Sequence, residues 1–128
     1  MSENNKAIIE KVNMAFAENK VEDFLSLCAD DVVWNMVGDK KNEGKDTIRE
    51  WMGSHGHSDP PKFTVNKLFA EDDSVACHGD MTMKGEDGAE NTYSYCDVYE
   101  FSGGKITRLD SYVVKIKPES EQTDAAAA

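Results

Sequence analysis

The stretch that decides the fold is Asn91–Ile116, with the sequence NTYSYCDVYEFSGGKITRLDSYVVKI. Its alternation of apolar and polar residues predicts two long antiparallel strands, because successive side chains of a strand point to opposite faces. The tetrapeptide Ser102–Lys105 contains the two glycines that a tight hairpin with positive φ requires. Each strand carries one aspartate, Asp97 or Asp110, among tyrosines and aliphatic residues. A carboxylate there costs free energy unless it is paired or protonated, so these two aspartates are the first candidates for function.

Alternation also predicts which side chains share a face with each aspartate. Those with Asp97 are Asn91, Tyr93, Tyr95, Tyr99 and Phe101, and those with Asp110 are Ile106, Arg108, Tyr112, Val114 and Ile116. Burial is expected to raise the pKa of Asp97, so that its protonated carboxyl can donate a hydrogen bond. For Asp110 the pattern offers Arg108 as an ion partner. In both cases the alternative is a purely structural aspartate.

Charge and length narrow the classes of function. With 128 residues the chain forms one domain with its own core. Its 14 basic and 25 acidic residues give a net charge of −11, which disfavours nucleic acids and anionic membranes as partners. The N-terminal residues resemble no signal peptide, and no run approaches the length of a membrane span, so we expect a cytoplasmic protein. Cys28, Cys77 and Cys96 lack metal-site spacing and are expected to be free thiols.

The remaining segments predict helices first and strands later. The expected elements are helices over Asn4–Glu18, Val21–Cys28 and Asp46–Met52, strands over Val32–Val37, Lys62–Phe69 and Val75–Lys84, and loops over Gly38–Gly44 and Ser54–Pro61. This order is typical of an α+β fold in which three helices cover one face of a curved, cone-like, mixed or antiparallel sheet and enclose a pocket. Residues 1–117 would form this domain, and residues 118–128 a flexible tail rich in acidic residues and alanine.

Three motifs resemble a known superfamily. These are ADDVVWNMVG at residues 29–38, GKDTIREWM at 44–52 and YEFSGGKITRLDSYV at 99–113. With the order of elements, they resemble the nuclear transport factor 2-like superfamily, and within it SnoaL-like small proteins, over Lys6–Ile116. The resemblance implies a cone-shaped fold, frequent pairing of two copies through the outer sheet face, and functions that include isomerases, polyketide cyclases, dehydratases, epoxide hydrolases and binding domains.

Limonene-epoxide hydrolases supply one set of implied residue roles. The chain resembles them at Asn35, Asp80 and Asp110, which would position water and act as base and acid. Val33 and His78 stand where those enzymes have a tyrosine and an arginine.

Two other families imply different roles. Ketosteroid isomerases resemble the chain at Asp97, their protonated oxyanion donor, whereas their base and tyrosine would align near Asn35 and Val12. SnoaL-type cyclases imply an aspartate and a histidine in the pocket, which His78 can satisfy with Asp80, Asp97 or Asp110.

These patterns give a candidate site with acid/base chemistry and no cofactor. The expected catalytic residues are His78, Asp80, Asp97 and Asp110, and the expected substrate-binding residues are Trp34, Asn35, Trp51, Tyr95 and Tyr112. Alternation alone places His78 and Asp80 on the polar side of their strand, and tryptophans equally suit a core or a dimer interface. His55, His57 and Asp59 fit a polar loop better than a metal site.

The sequence therefore predicts binding of a small, largely apolar molecule in an internal pocket. The resemblance implies a homodimer and catalysis of the cyclase, isomerase or epoxide-hydrolase type. A non-catalytic binding or dimerisation domain is the alternative. A solvent-connected pocket lined by at least two of these carboxylates would favour the enzyme, and a packed interior the alternative.

Overall fold

The computed structural model describes residues 2–55, 62–84 and 88–117. Within these ranges the chain forms three helices, followed and interrupted by strands. The elements are α1 Ser2–Ala17, α2 Val21–Leu25, β1 Cys28–Met36, β2 Lys40–Glu43, α3 Lys45–His55, β3 Lys62–Glu71, β4 Ser74–Lys84, β5 Glu90–Ser102 and β6 Lys105–Lys115.

The strands form one curved six-stranded sheet in the order β2-β1-β6-β5-β4-β3. All neighbouring strands are antiparallel except β1 and β6, which are parallel. Helix α1 packs against β3 and β4, and α3 against β1. The predicted α+β cone is therefore confirmed, with the core between the helices and the inner face of the sheet.

Helix α1 is amphipathic, and its buried stripe consists of Ile9, Val12 and Ala15. It ends where Asn19 adopts a positive φ of 56°. The Lys20 amide then donates to the Ala15 carbonyl at 2.8 Å, the closing bond of a Schellman motif. Among the helices in the described ranges, none combines the length and apolar character needed to cross a membrane.

The predicted hairpin is present, and its turn has the expected chemistry. Gly103 and Gly104 have φ of 58° and 80°, the combination that a two-residue type I′ turn demands. Beyond Ile106, β6 differs from the prediction because the register between β5 and β6 shifts. Phe101 lies opposite Ile106, whereas the preceding residue Glu100 lies opposite Arg108. Thr107 is therefore an extra residue, a β-bulge, that reverses the alternation beyond it.

The bulge changes which residues of β6 face the core. Ile106 is buried as predicted, but beyond the bulge Leu109 and Ser111 are buried, and Tyr112 and Val114 are exposed. Arg108, Asp110, Tyr112 and Val114 share a face as predicted, but this face is the outer one, and only Ile106 lies on the inner face. A single inserted residue moves every later side chain to the opposite face.

One strand and several element boundaries also differ from the prediction: β1 begins at Cys28 and α3 ends at His55. The predicted loop Gly38–Gly44 contains β2, which pairs with β1 through Val33 and Glu43. Its sequence, KKNE, has no apolar alternation to reveal a strand, so the pairing with β1 defines it. Helix α2 ends at Leu25, before the predicted Cys28, because β1 begins there. The tail at 118–128, together with His57 and Asp59, lies outside the described residues.

Candidate functional site

The inner face of β5 carries the aspartate of the candidate site. Tyr95 and Tyr99 are buried on the same face as Asp97, as the alternation predicts. The residue Asp97 keeps some accessible surface, but its carboxyl group is surrounded by protein. This burial raises the pKa of Asp97 to about 6, and a hydrogen bond from Ser111 acts in the opposite direction. The carboxyl can therefore gain or lose a proton near neutral pH.

Ser111 and Trp34 form a hydrogen-bonded chain behind this carboxyl. Ser111 lies directly opposite Asp97 on β6, so the two side chains share the inner face, and the Ser111 hydroxyl lowers the pKa of the Asp97 carboxyl. The indole Nε1–H of Trp34 on β1 donates to Ser111 Oγ at 2.9 Å. We call these residues the Trp34–Ser111–Asp97 relay. It joins three adjacent strands inside the core.

A second set of polar groups lies on the other side of Asp97. Cys77 on β4 pairs directly with Asp97 and is fully buried. Its sulfur accepts from Asn13 Nδ2 at 3.8 Å and lies 4.0 Å from the Tyr95 hydroxyl oxygen. Burial raises the pKa of both Cys77 and Tyr95, so both are neutral near pH 7. Asp97 is thus the member of this cluster that titrates near neutrality.

Aromatic rings in consecutive contact line the interior. The ring centroids of Trp51 and Trp34 are 5.2 Å apart, those of Trp34 and Phe16 are 5.6 Å apart, and those of Phe63 and Tyr95 are 5.9 Å apart. Phe16 and Phe63 close the series at 6.3 Å. We call these five residues the aromatic wall. Such rings offer flat apolar surface to a ligand.

Part of this inner surface remains accessible. The half-buried apolar side chains packed on the core include Phe16, Met36, Trp51, Met52, Phe63, Met83, Tyr93 and Val113. Together with Asp97, which is also half-buried, they form the accessible part of the inner surface. A small molecule placed there would contact rings and methionines on its sides and Asp97 at its polar group.

His78 and Asp80 lie on the outer face of β4. The residues between and beside them, Cys77, Gly79 and Met81, are buried on the inner face. Asp80 is exposed and accepts a hydrogen bond from Asn66 Nδ2 at 3.2 Å. The structure therefore separates His78 and Asp80 from the interior, as the alternation of β4 by itself indicates.

Asp110 and Asn35 also lie on the outer face. Asn35 Nδ2 donates to Asp110 Oδ1 at 3.1 Å, and Arg108 Nε lies 3.1 Å from both carboxylate oxygens. The hydrogen bond from Arg108 lowers the pKa of Asp110. Tyr112 is exposed on the same face. Asp110 is therefore a paired, ionised carboxylate outside the core.

The outer aspartates are also far from each other. Asp80 aligns with Ser94, and Ser94 with Val114, whereas Asp110 lies four residues before Val114 along β6. That separation along the strand is about 13 Å. The base and acid roles implied by the epoxide-hydrolase resemblance need both groups on one substrate, and this arrangement does not provide that.

Two clefts in the described part of the chain lie elsewhere. One, of about 480 Å³, is bordered by Asp30, Glu43 and the first turns of α3, where Lys45 pairs with Asp30 at 3.6 Å. The other, of about 390 Å³, lies along β3 and β4 beside Phe69. Neither includes a predicted site residue, so the expected pocket lined by two carboxylates is not seen in these two clefts.

The sequence pattern correctly predicted that Trp34, Trp51, Tyr95 and Asp97 lie in the interior. It did not predict that Ser111 and Asn13 lie beside them. The inward position of Ser111 could not be predicted, because it depends on the bulge at Thr107, and no sequence pattern indicates that bulge. Asn13 had a detectable signal, because it follows Ile9 by four residues on the inner stripe of α1. All three cysteines are free.

Comparisons with known proteins identify the family and the fold of the chain. The sequence matches the family described as SnoaL-like domain over residues 9–109. No curated protein gives a significant match.

Several solved structures share the fold at low sequence identity. An NTF2-like protein of unknown function from Burkholderia pseudomallei has a TM-score of 0.79 at 15% identity, covering 85% of this chain and 89% of its own. A putative polyketide cyclase from Xanthomonas campestris pv. campestris has a TM-score of 0.78 at 14% sequence identity, and the match covers 87% of this chain and 90% of that one. TerC, co-crystallised with polyporic acid, has a TM-score of 0.77 at 18% sequence identity, and the match covers 85% of this chain and 90% of that one. These likenesses concern the fold.

Proposed function

Because the chain belongs to the SnoaL-like domain family, we propose that it binds a small, largely apolar molecule in its interior and transfers a proton through Asp97. The single observation that carries the proposal is the position of the Asp97 carboxyl. It belongs to a residue directly opposite Ser111 and two residues from Tyr95 of the aromatic wall, and burial raises its pKa to about 6. A carboxyl of that pKa is an efficient acid and base near neutral pH.

The proposed chemistry is an isomerisation or cyclisation that needs one acid/base group. As a base, Asp97 takes a proton from a carbon next to a carbonyl group, and as an acid it returns that proton to another atom of the same molecule. Cys77 and Tyr95, both with raised pKa, supply neutral polar contacts. The enclosing rings keep water away from the charge that develops, which strengthens each hydrogen bond to it. No cofactor enters this scheme.

Structural neighbours support the class of ligand. One neighbour is described as a putative polyketide cyclase, and another was co-crystallised with polyporic acid. The aromatic wall of this chain suits a flat, cyclic ligand that carries a carbonyl or hydroxyl group.

Binding can be tested with tryptophan fluorescence, since Trp34 and Trp51 belong to the wall. A panel of cyclic ketones and phenols is compared with hydrocarbons of equal size. Asp97→Asn is expected to weaken binding of the oxygen-containing compounds about tenfold, the effect of one hydrogen bond worth about 1.4 kcal/mol, and to leave the hydrocarbons unchanged. Asp110→Asn, on the outer face, is the matched control and should bind like wild type.

Proton transfer is tested on the ketones that bind. In D₂O, wild type is expected to introduce deuterium next to the carbonyl group, detected by NMR, and Asp97→Asn to slow this exchange about a hundredfold or more. Equal binding and equal exchange in the Asp97→Asn and Asp110→Asn variants would refute the proposal.

A second role, self-association, is favoured by the outer face of the sheet. Phe69, Tyr112 and Val114 are 57%, 47% and 62% exposed. Ala76 and Val98 follow Phe69 across the sheet in the row that ends at Asp110, and Val98 is the diagonal neighbour of Tyr112. We call these five residues the outer apolar patch. We propose that it pairs with the same patch of a second copy, because contiguous exposed apolar surface of this kind marks association sites.

A further inference from the structure

The hydrogen bonds of the relay have a fixed direction. An indole N–H can only donate, so Ser111 Oγ is the acceptor from Trp34 at 2.9 Å. A serine hydroxyl has one proton of its own, which remains available for Asp97. The Trp34 ring is held by Phe16 and Trp51, with centroids at 5.6 and 5.2 Å. Ring packing therefore orients the N–H, and the N–H orients the hydroxyl.

The position of Ser111 makes this orientation effective. It lies directly across from Asp97 in an antiparallel pair, where side chains are about 5 Å apart at Cβ. Ser111 is only 3% exposed, so water does not compete for its hydroxyl.

From these contacts we infer that Ser111 and Trp34 are positioning residues that hold one oxygen of the Asp97 carboxyl and leave the other to face the ligand. The inference rests on the proposed function, because it gives the relay the task of aiming the acid/base group. A hydroxyl donor to one oxygen favours the ionised carboxylate there, and a donated indole N–H strengthens that hydroxyl as a donor.

The titration of Asp97 can be followed without interference from its neighbours. The groups that face it are Cys77 from β4, Tyr95 and Tyr99 from β5, Ser111 from β6 and Trp34 from β1, with Asn13 of α1 bonded to Cys77. The pKa of Cys77 and of both tyrosines is raised by burial. They stay neutral in the range where Asp97 titrates.

The test follows two NMR signals against pH, without any ligand. In wild type, the ¹³C signal of the Asp97 carboxyl and the indole ¹H–¹⁵N signal of Trp34 should titrate together near pH 6. In Ser111→Ala, the pKa of Asp97 should rise and the indole signal should stop following it. Trp34→Phe keeps an aromatic ring and should raise the pKa of Asp97 less than Ser111→Ala does. Ser111→Thr should restore the wild-type behaviour.

A matched control and separate outcomes keep this inference distinct from the proposed function. Ser94→Ala, on the outer face of β5, should leave both signals unchanged. If the Asp97 carboxyl titrates at the same pH in wild type and Ser111→Ala, or the Trp34 indole signal ignores Asp97 in wild type, the relay is refuted. Loss of ligand binding in Asp97→Asn would then still support the proposed function. If Ser111→Ala fails to fold, the relay is tested by the coupled titration of the two signals in wild type and by the pKa of Asp97 in Trp34→Phe.

Discussion

Asp97 and Asp110 show how one residue type acquires two chemistries on one sheet. Asp97 lies inside, where burial raises its pKa to about 6 because the charged form loses its hydration. Asp110 lies outside, where the hydrogen bond from Arg108 lowers its pKa. Only the first has a pKa suited to exchanging protons near neutral pH. The environment on each face of the sheet, set by the register of β5 and β6, determines this difference.

The first prediction concerns the pH dependence of stability. Because the folded state holds the proton of Asp97 more tightly than the unfolded state, whose pKa is close to 3.8, the stabilisation from Asp97 is complete below that value and is lost as pH rises through about 6. Between pH 4 and 7 the free energy of unfolding of wild type should therefore fall relative to that of Asp97→Asn, by about 2 to 3 kcal/mol. Urea unfolding at several pH values measures this difference.

Asp110→Asn is the control, and its curve should slope the other way. The folded pKa of Asp110 is lowered, so its stabilising contribution is present above the ordinary aspartate pKa and is lost as pH falls through the folded value. Wild type should lose its advantage over Asp110→Asn on acidification. Two variants that run parallel to wild type at all pH values would contradict both assignments.

The second prediction concerns an unpaired hydroxyl. Tyr99 is fully buried, and its hydroxyl has no hydrogen-bond partner among the described residues. Tyr99→Phe removes this group and keeps the ring, so we expect unchanged or higher stability, by up to about 2 kcal/mol, in urea unfolding. Tyr95→Phe removes a hydroxyl that contacts Cys77 and should be mildly destabilising. A loss above about 1 kcal/mol in Tyr99→Phe would reveal a partner for its hydroxyl, such as a buried water.

At the scale of the elements, periodicity predicted most of the fold and only half of the site. Helix α1, the β5–β6 hairpin and the inner face of β5 follow from local patterns in Asn91–Phe101 and the N-terminal helix. The bulge at Thr107 follows from the pairing of two strands, which single-strand alternation does not contain. Because of this bulge, Ser111 rather than Asp110 lies on the inner face. The bulge therefore explains the outward positions of Asp110 and Tyr112, whereas His78 and Asp80 lie outside because of the alternation of β4.

The third prediction concerns Gly79 on β4, between the outward-facing His78 and Asp80. A Cβ built at Gly79 would overlap the Thr64 carbonyl oxygen of β3 and lie 2.9 Å from the Tyr95 hydroxyl. Because a backbone atom obstructs the added methyl group, Gly79→Ala should force β3 away from β4 and destabilise the protein by about 3 kcal/mol or more. Chemical denaturation gives this value.

Gly53 in α3 supplies the comparison for Gly79. Among the described residues, no heavy atom outside the neighbouring backbone of α3 lies within 4 Å of a Cβ built there, and alanine is a better helix former than glycine. Gly53→Ala should therefore stabilise the protein by about 0.5 to 1 kcal/mol. Similar effects at both positions would show that the close approach of β3 to Gly79 is relieved by a small shift.

At the scale of the whole molecule, the sheet separates two surfaces with different tasks. The inner face holds the relay and the aromatic wall, and the outer face carries the outer apolar patch on a chain of net charge −11. The charge opposes association of two copies, whereas burial of the patch favours it. Which effect is larger depends on ionic strength, since salt screens repulsion between charges more than about 10 Å apart.

The last prediction follows from this balance. Wild type should dimerise, more tightly as salt increases, and Val114→Glu should give monomers by placing a charge within the outer apolar patch. Met14 on α1 is 63% exposed and Val114 is 62% exposed, so Met14→Glu makes the same change at equal exposure outside the patch and should leave the dimer intact. Sedimentation equilibrium at two salt concentrations measures both variants. A monomeric wild type, or equal dissociation by the two glutamates, would show that the outer apolar patch does not join two copies.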